Sequence, residues 1–361
     1  MNRTLDQRLE RVLRPDVREM RPYVVQPSAG LIKLDAMENP FRLPPQLQRV
    51  LGERLGAVAI NRYPGERIDE LKAALARHAG MPEGYAITLG NGSDELITLL
   101  GVACDRPGAV VLSPTPGFVM YEISCELLGL RHVGVPLEPE TLDLDEGAML
   151  AAIEEHQPAI VYIAYPNNPT GNLFDDAVIE RIVEAAPGLV VVDEAYQPFA
   201  SKSYLDRLTR HPHVLLMRTM SKFGLAGIRL GYLIGRPEIV GHVDKVRPPY
   251  NVSVLNCEAA LFALEHEDEF RRQAEVLRRE RDRLIEALAA MPGVHPFPSE
   301  ANMILVRVPD PDTAFAGMKA RGVLVKNVCR VHPLLAGCLR LTVGTPEENE
   351  RMIGALRASL R

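Results

Sequence analysis

Lys222 stands in the run Arg218-Thr219-Met220-Ser221-Lys222-Phe223-Gly224, between two apolar strand-like segments and followed by the glycines 227 and 231. An amine beside a hydroxyl in such a turn is placed to be partly desolvated, which lowers its pKa and makes it a nucleophile toward carbonyl carbon. A lone lysine is more often a solvated surface residue, so the neighbouring motifs matter. Gly90-Asn91-Gly92-Ser93-Asp94-Glu95 follows a strand-like Tyr85 to Leu89 and opens a helical run. Its glycines permit a sharp turn and leave the N–H groups of Ser93, Asp94 and Glu95 at a helix N-terminus, a setting that suits a phosphate. The loop is no dinucleotide fingerprint, since Glu95 takes the third glycine position, and no Gly-Lys-Ser/Thr follows to make an ATP loop. Read blandly, it is a turn capped by Ser93 or Asn91.

Two more motifs lie between these. Tyr165-Pro166-Asn167-Asn168-Pro169-Thr170-Gly171 closes a very apolar strand, and a double Asn between prolines exceeds what a connector needs. An Asn side chain there can donate to a ligand oxygen. Val191-Val192-Asp193-Glu194-Ala195-Tyr196 ends another strand with two carboxylates. Most such acids are simply solvated, but one just inside a strand end can pair with a heterocyclic cation. Four motifs in this order, each at a strand end, are far more specific together than any one alone.

The elements that must position them read as alternating strands and helices between about residues 85 and 235. Ala109 to Ser113, Ile160 to Ala164, Leu189 to Val192, Val214 to Arg218 and Leu230 to Ile234 are the predicted strands. This pattern predicts an α/β fold with a mostly parallel, doubly wound sheet, whose ligands bind beyond the carboxyl ends of the strands. Before it, Ile68, Leu71 and Leu75 share one helical face that ends at Gly80, and the first forty-odd residues read as an extended arm. After it, Phe270, Leu277, Leu284 and Leu288 form a helical stripe, and Ile304 to Val308 and Leu339 to Val343 read as strands of a smaller α+β domain. The predicted divisions are an arm at 1–45, a large domain at 46–250 and a small domain at 251–361.

Composition narrows the function. The 361 residues are 47% hydrophobic and 24% charged with a net charge of -6, which suits two packed domains and argues against a nucleic-acid partner. The arginines between 271 and 283 are interleaved with Glu275, Glu280 and Asp282, as on a solvated helix face. Five cysteines without a Cys-x-x-Cys pair, and nine histidines without metal spacing, predict neither a disulfide framework nor a metal site. The charged N-terminal stretch and the lack of a long apolar run predict a cytoplasmic protein with no membrane span.

With Arg21-Pro22-Tyr23, Leu34-Asp35 to Glu38-Asn39-Pro40-Phe41, Asn61-Arg62-Tyr63-Pro64, Pro114-Thr115 through Tyr121 and Gly337 to Thr345 added to the four motifs, the chain resembles a known family over nearly its whole length. It is similar to the fold-type I aminotransferases that use pyridoxal 5'-phosphate (PLP), and within them to the histidinol-phosphate aminotransferases. The resemblance implies that Lys222 carries PLP as a Schiff base and then shuttles a proton, and that Asp193 pairs with the pyridine nitrogen. It implies that Asn168 and Tyr196 bond the ring's O3', that Tyr121 stacks on the ring, and that Ser93, Asp94, Ser221 and Arg229 hold the phosphate. Tyr63 would reach in from a second subunit, making a homodimer with shared active sites. Arg340 would anchor the substrate, with Tyr23, Asn39 and Lys326 nearby. Arg229 follows Lys222 by seven residues where the wider family pattern has eight, so its phosphate contact requires the loop to close differently. The implied reaction moves an amino group between L-histidinol phosphate or imidazole-acetol phosphate and glutamate or 2-oxoglutarate, in histidine biosynthesis. An aromatic amino acid aminotransferase and a threonine-phosphate decarboxylase share these cofactor residues and are the alternatives; a PLP-binding regulator would need a DNA-binding module for which the chain leaves no room.

Overall fold

The computed structural model describes residues 4–20, 22 and 25–360. Residues 1–30 form a unit of their own. Within it the sequence's extended arm is instead two short helices, Leu5–Val12 and Pro15–Glu19, with no buried side chain. The first starts at a capping box in which Thr4 and Gln7 bond each other's backbone N–H groups, a local arrangement that periodicity does not reveal.

In chain order the strands are β1 (Ile32–Lys33), β2 (Ala86–Gly90), β3 (Val110–Thr115), β4 (Arg131–Pro136), β5 (Ile160–Ala164), β6 (Leu189–Asp193), β7 (Val214–Thr219), β8 (Gly231–Gly235), β9 (His295–Pro296), β10 (Met303–Arg307), β11 (Val323–Leu324), β12 (Lys326–Asn327) and β13 (Cys338–Thr342). The apolar runs at β5, β6 and β7 have no polar face to offer water, and they occupy the middle of a seven-stranded sheet ordered β2-β8-β7-β6-β5-β3-β4. Their side chains alternate between two cores. Val161, Ile163, Val190, Val192, Val214 and Leu216 face one, and Ile160, Tyr162, Val191, Leu215 and Met217 face the other.

The sheet is parallel except at β8, which runs antiparallel to both β2 and β7. Only residues 220–230 separate β7 from β8, too few for the helical crossover that a parallel return needs. The connection carrying Lys222 is therefore a reversal folded back over the strand ends. A smaller sheet, β12-β13-β10-β9, packs with the helix Glu267–Ala289 around a third core that includes Leu277, Leu284, Ile304, Val306, Leu339 and Leu341. Cys257 and Ala260, on the helix Val254–Glu265, belong instead to the core of the large sheet. The short β1 pairs in parallel with β11, and Leu34 and Met37 just after it join the third core.

Candidate active site

The carboxyl ends of β5, β6 and β7 open on a cavity of about 360 Å³. Lys222, Asp193, Asn168, Tyr196, Ser93, Asp94, Ser221 and Arg229 all line it, so side chains scattered over more than a hundred residues of sequence meet at one place.

At one end of it, the helix Ser93–Cys104 begins without a side-chain cap, and Gly92 at φ 85° turns the chain into it. The first N–H groups of that helix are thus available to an anion, with the macrodipole in its favour. Two glycines are required here by close approach. A Cβ on Gly92 would stand 2.5 Å from Arg229 Nη2, and one on Gly231 would stand 2.6 Å from the Ser93 nitrogen. Arg229 takes a left-handed conformation (φ 48°) after a π-helical turn at Ser221–Leu225 and a 3-10 turn at Ala226–Ile228, and its guanidinium reaches the cavity seven residues after Lys222. Its Nη2 donates to Asp94 Oδ2 at 2.9 Å and its Nη1 lies 3.5 Å from Ser221 Oγ. Thr219 in turn fixes Ser221, its Oγ1 donating to Ser221 Oγ at 3.0 Å.

Lys222 is partly buried, and its amine donates to the Ala36 carbonyl at 2.9 Å. Burial pushes its pKa down to about 8, with the positive charge of Arg340 acting in the same direction. A substantial neutral fraction therefore exists near neutral pH, as a nucleophilic amine requires. Asp193, at the end of β6, is 3% exposed. Burial pushes its carboxyl up to about 6, against the Tyr121 hydroxyl, which donates to Oδ2 at 2.7 Å, and the Ala195 N–H, which donates to Oδ1 at 3.0 Å. A cation beside it would restore the charge that burial disfavours.

Asn168 Nδ2 donates to the Tyr196 hydroxyl at 3.1 Å, and Arg340 Nη1 donates to Asn168 Oδ1 at 2.7 Å. Its neighbour Asn167 turns away and donates to the Pro116 carbonyl and Thr170 Oγ1, pinning the loop. The double Asn thus divides into one structural and one cavity-facing residue. Arg340 on β13 stands directly opposite Lys326 on β12, so both side chains lie on one face of the smaller sheet.

The other expected residues fall elsewhere. Tyr121 does not line the cavity: it is buried behind Asp193, stacked on Tyr162 with centroids 4.4 Å apart, and the aromatic wall is Phe118 instead. The two sit three residues apart, Phe118 in the turn before the helix Met120–Leu128 and Tyr121 in its first turn, and packing chooses which of them meets the cavity. Asn39 is also absent from the lining; its Nδ2 donates to Gln273 Oε1 at 2.9 Å. Tyr63 is 73% exposed and stacks on Tyr250, while Tyr23 lies outside the described residues. Glu38, not singled out from sequence, does line the cavity.

The sequence of residues 29–356 matches the family described as aminotransferase class I and II. The chain belongs to that family. Among its relatives, the histidinol-phosphate aminotransferase of Methylibium petroleiphilum is 70% identical over 356 residues, 98% of this chain and 96% of that protein. The enzyme of the same description from Polaromonas naphthalenivorans is 61% identical, covering 99% and 98%. The crystal structure of histidinol-phosphate aminotransferase from Sinorhizobium meliloti in complex with pyridoxal-5'-phosphate superposes with a TM-score of 0.84 at 26% identity, covering 97% of this chain and 98% of that one.

This chain is accordingly a PLP-dependent aminotransferase of fold type I. The donor set of the cavity suits the cofactor group by group. A capless helix N-terminus with a hydroxyl and a guanidinium answers a phosphate, a buried carboxylate a pyridine nitrogen, an amide and a phenol a ring oxygen, and a desolvated amine an aldehyde.

Proposed function

We propose that this aminotransferase exchanges the amino group between L-histidinol phosphate and 2-oxoglutarate, in histidine biosynthesis, through the residues gathered in this cavity. The observation that carries the reading is that a partly buried Lys222 and a buried Asp193, both shifted toward neutrality, face one cavity that also holds the Ser93 helix start, Ser221 and Arg229, a set suited to a phosphate. Bound PLP supplies an electron sink for the negative charge that develops at the substrate carbon. Lys222 would act as the base that takes a proton from that carbon and the acid that returns it two atoms away, on the cofactor carbon beyond the nitrogen; its pKa of about 8 is near the working range of such a group. Asp193 keeps a proton on the pyridine nitrogen, and Tyr121 holds the Asp193 carboxylate in place. Asn168 and Tyr196 bond the ring oxygen, Phe118 covers the ring, and Ser93, Asp94, Ser221 and Arg229 hold the phosphate.

Arg340 anchors the substrate's distal anion, with Lys326 opposite it on the neighbouring strand. A planar guanidinium can take either a carboxylate or a phosphate bidentately, which an enzyme alternating between the two requires. The relatives at 70% and 61% identity carry the substrate assignment. The assembly is a cytoplasmic homodimer in which Tyr63 serves the partner's site; its exposed stack with Tyr250 supports this, since large aromatics are seldom left in water without a partner surface. Among the described residues no helix is long and apolar enough to cross a membrane. The cavity lies between a large domain drawn at 46–250, to which the helix Val254–Glu265 also packs, and a small domain formed by the rest of 251–361.

Single-turnover absorbance of the PLP-loaded protein tests the substrate. Histidinol phosphate should convert the cofactor's spectrum far faster than histidinol, and Arg340→Lys should slow both half-reactions by roughly 10- to 150-fold in kcat/KM. Equal wild-type rates with histidinol and its phosphate would refute the substrate while leaving the PLP chemistry intact. Faster turnover of an aromatic amino acid, or decarboxylation of threonine phosphate, would select one of the alternatives.

A further inference from the structure

The segment from Leu34 to Asn39 is tied down along its length. Leu34 N–H donates to the Leu324 carbonyl, Arg340 Nη2 to the Asp35 carbonyl, and Lys222 to the Ala36 carbonyl. Met37 N–H donates to Thr342 Oγ1, and Asn302 Nδ2 to the Met37 carbonyl. Met37 is held at φ 51°, a left-handed conformation that a side chain with a Cβ disfavours and that persists only where its surroundings over-determine it. The result is a rigid shelf at the cavity wall, and Glu38 lines the cavity from it.

Three acids line the cavity among the described residues: Asp193, Asp94 and Glu38. Asp193 is bonded by Tyr121 at the floor, and Asp94 is paired with Arg229. Glu38 has a different setting, with a carboxylate 44% exposed and ion-paired to Lys33, whose amine also lies 3.2 Å from Asp35 Oδ1. Its charge reaches Lys222, whose pKa it raises against the lowering by burial. A carboxylate at this place works against binding of any substrate that is anionic throughout.

We propose that Glu38 is the residue that selects the imidazole end of the substrate, accepting a hydrogen bond from the ring N–H, with Lys33 as its resting counter-ion. The proposal rests on the histidinol-phosphate reading above and deepens it. The two amine substrates share a reacting amino group and each carries a distal anion, so neither feature separates them. The imidazole is the one part that donates N–H bonds and can carry positive charge, and it belongs to only one of them. Glutamate has a second carboxylate instead, which Glu38 repels.

The test uses PLP-loaded wild type, Glu38→Ala and Glu38→Gln, with histidinol phosphate and glutamate as separate half-reactions read by cofactor absorbance. Glu38→Ala should lower kcat/KM for histidinol phosphate by about 10- to 100-fold, the range of a charged hydrogen bond, and Glu38→Gln by less because its amide oxygen still accepts. The glutamate half-reaction should fall far less or improve in both variants. Equal losses in both half-reactions would overturn the proposal by showing that Glu38 only holds the shelf, and unchanged rates in both would overturn it outright. If Glu38→Ala does not fold, the isosteric Glu38→Gln carries the same comparison. A wild-type enzyme inert toward histidinol phosphate refutes the substrate reading itself, a result distinct from any failure of the variants.

Discussion

Asp193 and Glu194 are consecutive and equally buried, at 3% and 1% exposed, and they face two different regions. Glu194 meets a complete set of partners. Arg218 donates Nε to it at 2.9 Å, Ser203 Oγ donates at 3.1 Å, and the Tyr204 N–H donates at 2.5 Å. Asp193 faces the cavity with hydrogen bonds from Tyr121 and Ala195 and no bonded cation among the described residues, and its pKa is displaced upward. Lys222, on the same cavity and partly buried, has a carbonyl as its hydrogen-bond partner, and its pKa is displaced downward. In one region buried charge is neutralised internally and serves the fold. In the other, acid and base are kept apart, and the balance is left for cofactor and substrate to complete.

The comparison breaks most sharply at Lys222. Lys222→Ala should lower transamination by roughly 10²- to 10⁴-fold, measured as turnover, and should leave no PLP on the chain after borohydride reduction. Its apoprotein should unfold in urea no earlier than wild type, because desolvation of the lost side chain outweighs the opposite charges of Glu38 and Asp94 that reach it. Near-normal turnover, or a retained PLP adduct, would remove Lys222 from the chemistry.

Glu194→Ala should show the reverse. It strands Arg218 in the interior and should cost about 3 to 5 kcal/mol of stability, read from urea unfolding, while the folded fraction still binds PLP. Asp193→Asn, one residue away, should keep wild-type stability and lose about 10²- to 10³-fold in single-turnover rate, because an amide does not hold the pyridine nitrogen protonated. Equal stability losses in the two variants would mean that both carboxylates are structural.

The smallest effect is one of pH. The folded-state pKa of Lys222 lies below its unfolded value, so between about 8 and 10.5 the unfolded chain binds more protons. The stability cost of burying this amine is thus full below pH 8 and fades as pH rises toward 10.5. In the apoprotein, any stability advantage of Lys222→Ala over wild type should shrink between pH 7 and pH 10. The rate of PLP capture by wild-type apoprotein should rise with pH, half-maximal near 8, as the neutral amine accumulates. Capture independent of pH between 6 and 9 would show that the amine is not the group that titrates.

Much of this was legible in the residues themselves. Strands β5, β6 and β7 and the left-handed cap at Gly80 follow from uninterrupted apolar runs and from glycine's freedom at positive φ, both local properties of the chain. The four motifs identified Lys222, Asp193, Asn168 and the Gly90–Glu95 loop, because a turn at a strand end needs few special residues and these carry more. The antiparallel sense of β8 was implicit in the short link from β7, but the strand pattern alone reads the same in either direction.

Tertiary structure decided what depends on the direction of a side chain. Phe118 and Tyr121 are both aromatic and three residues apart, and it took the packing of Tyr121 on Tyr162 beneath Asp193 to turn one to the cavity and the other to the core. The two asparagines, and the two acids at 193 and 194, were divided in the same way by partners dozens of residues distant. Glu38 became visible as a cavity residue only when a shelf fixed by Thr342, Asn302, Arg340 and Lys222 brought it there. Sequence settled which chemical groups are available and at which strand ends they sit; long-range packing settled which of two neighbouring groups faces the cavity, because burial and hydrogen-bond partners belong to the folded neighbourhood and not to the residue.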